Sequence, residues 1–390
     1  MNSLLGVELQ YLILFSTVII LPKFLIRFRI PVGISCLFLG IATSFGLGWF
    51  ENDQLLLMLS RLGITSLFLF AGMEVDIEEL KQDKGTLGKH LVKNTLLIFA
   101  TGLGLTYVFG LDYRPALILA LGLMTPSAGF ILNSLKNYKF TEAEEYWIRS
   151  KAISKEIVAI LLLFVALQSN SMQELAISSA YLVLLIGLLP LVLKFFLKVI
   201  APYAPDTEVG FLIIVALVAG VITKKIGAYY LVGAFIAGVV AGNFKHFVSE
   251  KKHEHILNSL AVFFSFFVPF YFYNAGLSLK PEIFSWKGLA IGASFLAVFI
   301  TLRTCSVLIS LKMYVKDFWI DRVSISMSLL PTLIFGLVIA AILREKFGVG
   351  DEIISGLIIY TVVSSLIPSF MFKKAPPIFT DTSMGKAEQD

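Results

Sequence analysis

Two stretches, "LMTPSAGF" at 123–130 and "LLPTLIFG" at 329–336, decide how this chain folds. Each places a proline, a hydroxyl residue and a glycine inside an apolar run long enough to cross a bilayer. Proline removes a backbone donor and disfavours helix in the residue before it, so Thr125 and its neighbours are predicted to leave helical geometry in mid-span, with Gly129 letting the backbone turn. Pro331, Thr332 and Gly336 repeat the arrangement. Unwound backbone survives at that depth only where it is buried in protein or lines a cavity, and here it would offer free carbonyls, the Thr125 and Ser127 hydroxyls and two half-helix ends. The plainer alternative is a pair of proline kinks that hold no ligand.

A second pair of segments turns the resemblance between these stretches into a repeat. "LFLFAGMEVDIEEL" at 67–80 ends one apolar run and "FYFYNAGLSLKPEI" at 270–283 ends another. Gly72 to Gly276 is 204 residues, and Pro126 to Pro331 is 205. The members of each pair are offset by seven spans. Because seven is odd, the second copy enters the membrane in the opposite direction, which is the inverted-topology repeat of secondary transporters. The expected division is a first repeat at about 8–168, a linking helix at about 175–198, a second repeat at about 208–372, and a short cytoplasmic tail at 373–390, the whole of 1–372 forming one transmembrane domain.

Composition agrees with that reading. The 390 residues are 57% hydrophobic and only 15% charged, and mean hydropathy is +0.85, against roughly 45–50% apolar and about 25% charged in soluble domains. Apolar runs recur with centres near residues 15, 39, 65, 98, 123, 160, 186, 215, 234, 267, 299, 330 and 362, predicting an all-α membrane protein of about thirteen spans rather than an outer-membrane barrel. No cleavable leader is expected at the amino terminus. The net charge of +5 is topological and does not point to nucleic acid: with the amino terminus outside, 22 Lys and Arg fall on the inner side, 7 on the outer side, and 3 (Arg61, Lys155, Arg303) within spans. The positive-inside rule then places the carboxyl terminus in the cytoplasm. Cys36 and Cys305 both lie in apolar runs and make neither a disulfide framework nor a metal cluster, and no cofactor motif is present.

The sixth run, "RSKAISKEIVAILLLFVALQ" at 149–168, carries Lys155 and Glu156 where an ionised group costs about 2.5 kcal/mol or more. A carboxylate at that depth can take either a proton or a monovalent cation, which is the minimum chemistry for exchanging one against the other. Neighbours on a helix do not face each other, so Lys155 is expected to turn to another group, such as Glu74, Asn274 or the half-helix carbonyls. The alternative is a snorkelling lysine near the cytoplasmic interface.

The chain resembles the monovalent cation:proton antiporter-2 family along essentially its whole length. The similarity is carried by "FLFAGMEVDIEELK" at 68–81, "TPSAGFILNSLK" at 125–136, "VGAFIAGVVAG" at 232–242 and "NAGLSLKPEIF" at 274–284. The resemblance implies a sodium/proton antiporter-like fold, exchange of Na+ or K+ for H+, no enzymatic activity, a homodimer and an inner-membrane location. It matches Glu156 to the family's ion-binding aspartate and the stretch from Thr125 through Pro126, Ser127 and Gly129 to its unwound fifth span, while the residues themselves add Thr125 and Ser127 to the expected ion site and Pro331, Thr332 and Gly336 as the second break. The family has Asp-Asp, Asn-Asp or Gln-Asp where this chain has Lys155-Glu156, so Lys155 is a departure. Electrogenic members carry a tenth-span lysine where this chain offers Tyr273 and Asn274, and Arg303 is expected as a second partner of Glu156. An ion channel, an anion-coupled transporter and a transport-inactive membrane subunit remain the rival readings.

Overall fold

The computed structural model describes residues 6–75, 84–135, 138, 140–169, 171–204, 207–242 and 250–372, so the expected tail at 373–390 lies outside it. The described residues contain no strand. Thirteen helical spans run in order: α1 (Val7–Leu25), α2 (Val32–Gly46), α3 (Gln54–Met73), α4 (Lys84–Phe109), α5a (Tyr113–Met124) with α5b (Ala128–Leu135), and α6 (Glu142–Gln168). Then come α7 (Met172–Phe195), α8 (Glu208–Lys225), α9 (Tyr230–Gly242), α10 (Glu250–Leu277), α11 (Trp286–Phe295, continuing through a π turn to Tyr314), α12a (Arg322–Ser328) with α12b (Leu333–Phe347), and α13 (Asp351–Met371). Nine spans among the described residues are long and apolar enough to cross a membrane, and α2 and α9 are shorter apolar helices. Each predicted centre falls within one of these thirteen spans.

The repeat is visible in how the helices touch. In α2 and α10 an added Cβ at Gly40 would overlap the carbonyl oxygen of Tyr273, and one at Gly276 would overlap that of Leu37. In α3 and α9 an added Cβ at Gly72 would overlap the Phe235 carbonyl, and one at Gly238 that of Leu69. Every one of the four glycines faces the carbonyl three residues before its partner glycine. The two contacts are the same contact in the two halves, since α2 corresponds to α9 and α3 to α10. Small residues that let backbones meet are what holds membrane helices together where no hydrophobic force can.

Both predicted interruptions are present, and each is shorter than the sequence reading. Thr125, caught before Pro126, is extended at φ −93 and ψ 126, but Ala128 already begins α5b, so Gly129 is helical and makes no turn. The second break runs from Leu329 to Thr332, and Gly336 lies inside α12b, where it lets Thr361 of α13 pack closely. Once the proline has broken the hydrogen-bond ladder, three or four residues suffice to restart it.

Candidate functional site

The two breaks cross and are bonded to each other. The Ser127 N–H donates to the Pro331 carbonyl at 2.8 Å, and the Phe335 N–H, in the first turn of α12b, donates to Ser127 Oγ at 3.0 Å. Ser127 therefore caps the opposite broken helix. Thr332 is held from α13, its N–H donating to Ser365 Oγ at 3.1 Å and its hydroxyl meeting that of Ser364 at 3.2 Å. Thr125, Ser127 and Thr332 are all fully buried.

Glu156 reaches this crossing from α6. That helix starts with a capping box legible as "TEAE" at 141–144: Thr141 Oγ1 accepts from the Glu144 N–H, and the Glu144 carboxylate accepts from the Thr141 N–H. Arg114, at the start of α5a, donates to the Ala166 and Leu167 carbonyls at the far end of α6. Between these anchors, Glu156 Oε2 accepts from the Ala128 N–H at 3.0 Å, the first residue of α5b. A carboxylate on a helix amino terminus meets both an unsatisfied N–H and the positive end of the dipole. Glu156 is 2% exposed, and this is its one hydrogen bond among the described residues.

The negative helix ends are met differently. Arg303 of α11 donates from Nη1 to the Leu123 carbonyl at 3.4 Å and to Tyr360 Oη at 3.0 Å, and from Nη2 to the Leu329 carbonyl at 2.6 Å. Tyr360 Oη in turn donates to Leu123 at 2.8 Å. One guanidinium thus caps the carboxyl ends of α5a and α12a together. The expectation that Arg303 pairs with Glu156 is corrected accordingly: its guanidinium is taken up by the Leu123 and Leu329 carbonyls and Tyr360, and Glu156 is turned to the Ala128 N–H.

Lys155 is buried on α6 and forms no hydrogen bond or ion pair with Glu74, Asn274 or any other described residue. Its neighbours in charge are Arg303 and Lys93, both positive. Glu74 caps the end of α3 through its backbone, and Asn274 lies within α10. Three polar groups that the sequence reading passed over belong to the region's buried polar set: Tyr360, and Asn94 and Ser154, whose side-chain polar atoms are buried without a hydrogen-bond partner, as is Thr125 Oγ1. Asn94, a lone amide early in the apolar part of α4, was the one readable signal.

A cavity of about 640 Å³ leads to the crossing. Gly129 and Phe130 of α5b and Ile334 of α12b form one end, Leu67, Phe70 and Phe272 line its walls, and Lys23, Arg29 and Ser369 sit where α1 and α13 finish. Among the described residues no group of three or more His, Cys, Asp or Glu could hold a metal ion.

An inverted repeat with two crossed, broken helices and a single carboxylate at the crossing defines a membrane carrier of the secondary-transporter class. Residues 12–374 match the family described as sodium/hydrogen exchanger, transmembrane, and the chain belongs to that family. It is 25% identical over 376 residues to the probable Na(+)/H(+) antiporter 3 of Methanocaldococcus jannaschii, covering 93% of this chain and 95% of that one. It is 26% identical over 247 residues to the Na(+)/H(+)-K(+) antiporter GerN of Bacillus cereus, covering 60% and 61%. Its fold is similar to the solved structure of the sodium proton antiporter MjNhaP1 from Methanocaldococcus jannaschii, with a TM-score of 0.66 at 14% identity over 94% and 96% of the two chains.

Proposed function

We propose that this protein is a secondary antiporter exchanging a monovalent cation, Na+ or K+, for H+, with Glu156 as the shared carrier. One observation carries the reading: a buried carboxylate, tied by a single N–H to the start of α5b, lies where both chain breaks cross. Proton and cation compete for its remaining lone pairs, so the site holds one or the other. Thr125 Oγ1, unpartnered and fully buried on the break, supplies a neutral oxygen for the cation. The names of the relatives support the ion pair exchanged, and GerN's includes potassium.

The cavity bounded by Lys23 and Arg29 is the inward approach to the site, and movement of the crossed helices against the remaining bundle exposes Glu156 to each side in turn. The 22-to-7 distribution of Lys and Arg supports an amino terminus outside and a carboxyl terminus in the cytoplasm of the inner (plasma) membrane. The family resemblance supports a homodimer. Reconstituted protein in liposomes with an imposed proton gradient should dissipate that gradient on addition of Na+ or K+, and the Glu156→Gln variant should insert normally and dissipate nothing. A normal response from Glu156→Gln would remove the mechanism.

A further inference from the structure

Three lysines lie on the inner half of the bundle away from the 640 Å³ cavity. Lys93 and Lys151 each stand nine residues inside a helix that starts on the inner side, α4 at Lys84 and α6 at Glu142, which is about 14 Å along the axis. They are not the loop charges that counting the sequence made them. Lys151 is 6% exposed, its Nζ is buried without a hydrogen bond, and it lies over the face of Trp147 at 4.2 Å. Lys93 Nζ donates to the Ser306 carbonyl of α11 at 3.4 Å. Lys151 lies near enough to Lys155 and Lys93 to repel both, and Lys155 to repel Arg303 and Lys93.

Among the described residues none of these lysines forms an ion pair. The nearby carboxylate of Glu156 is turned to Ala128. Lys151 and Lys155 are buried and Lys93 is half-buried, and cations set close together at that depth without a counter-charge are costly, which favours an anion supplied from outside the chain.

The way in is on the page. An open groove of about 720 Å³ runs along α4, lined by Gly88, Val92, Lys93, Leu96, Leu97 and Ala100. Val92 and Leu96 are more than half exposed, so one wall is an outward apolar face, while Lys93 lines the groove and donates to the Ser306 carbonyl of α11. The sequence adds Lys84, Lys89 and His90 at the start of the same helix. Apolar walls with cations at headgroup depth fit an acyl chain joined to an anionic head better than a free ion, and basic residues close to the inner surface attract acidic lipids.

We propose that this groove seats an acidic phospholipid, its phosphate contacting Lys93 and offsetting the charge of Lys151 and Lys155 behind it. Its acyl chain lies along Val92 and Leu96. The leaflet follows from the orientation argued above, but headgroup selectivity does not depend on it, so the two can fail separately.

The test uses the purified full chain, stripped of lipid in mild detergent, with native mass spectrometry and thermal unfolding as readouts. Phosphatidylglycerol should be retained over phosphatidylcholine and should raise the melting temperature. The Lys93→Gln, Lys151→Gln double variant should lose both the retention and the shift, while Lys93→Arg keeps them. If the double variant does not fold, Lys93→Gln alone should weaken retention several-fold. Equal retention of the two lipids, or unchanged retention by the folded variants, would overturn the proposal. A shift of the same size from inorganic phosphate alone would also overturn it, showing that the cluster holds a free anion and the groove no lipid.

Discussion

Glu156 holds one N–H through one oxygen, and that economy leaves the carboxylate open to exchange. Ser127 is committed where Glu156 is not, because its hydroxyl caps α12b by accepting the Phe335 N–H. Ser127→Ala should leave that buried donor unsatisfied and destabilise the protein by about 1–3 kcal/mol, measured by thermal unfolding. Thr125 behaves in the opposite way. Its Oγ1 bonds nothing in the protein, so Thr125→Val should leave the melting temperature near wild type while raising the cation concentration for half-maximal exchange. Lys155 is expected from the sequence to turn to Glu74, Asn274 or the half-helix carbonyls, and it bonds none of them among the described residues. Its surroundings are cationic instead, so Lys155→Gln removes repulsion, and its melting temperature should be unchanged or higher than wild type in the same assay. A fall of several degrees would show that a counter-charge had been missed.

At the scale of elements, the four glycines that bring α2 to α10 and α3 to α9 set the positions of everything at the crossing. Gly40→Ala and Gly238→Ala occupy corresponding places in the two halves, and each would drive a methyl into a backbone oxygen that has no rotamer to escape by. Each should cost at least the 1–3 kcal/mol typical of overpacking, read as lost thermal stability, and the two losses should be similar because the contacts are equivalent. Gly187→Ala in α7 is the control: its Cβ meets nothing within 4 Å, and little change is expected. Arg303 works at this scale as well. Arg303→Lys keeps the charge but cannot fork between Leu123 and Leu329, so it should lose stability by about 1.5–3 kcal/mol, the worth of a hydrogen bond to a charged group.

For the whole molecule, the charge asymmetry and the cavity make one joint prediction. In a background of Cys36→Ser and Cys305→Ser, Phe130→Cys at the inner end of the cavity should react with a membrane-impermeant thiol reagent in inverted vesicles and not in right-side-out cells. A reporter at the carboxyl terminus should lie on the same side as that reagent. Labelling from the opposite side would reverse the topology, and with it the direction in which the 640 Å³ cavity opens.

The sequence by itself determined the helical class, the thirteen spans and the repeat, because each is written in local terms: apolar length and the near-equal spacing of Gly72 and Pro126 to their counterparts across the halves. It also singled out Glu156 as the proposed carrier, a charge at a depth that tolerates none without reason. Proline also marked where both helices break, since its missing N–H acts on its immediate neighbours. Only the tertiary structure decided what meets what. Arg303 is 180 residues from Leu123, yet it caps that carbonyl and that of Leu329 together, and no spacing along the chain encodes a contact made by two helices folding back on a third. The glycines at 129 and 336 read as turns because glycine permits turns, whereas both lie in helix; close packing against Thr361 is what the small size of Gly336 serves, while at Gly129 a Cβ would meet Ile334 only in ordinary contact at 3.6 Å. The sequence reading sends Lys155 to Glu74, Asn274 or the half-helix carbonyls, and among the described residues it bonds none of them. On a helix, consecutive side chains diverge by about 100°, so Glu156 faces α5b and Lys155 faces other cations.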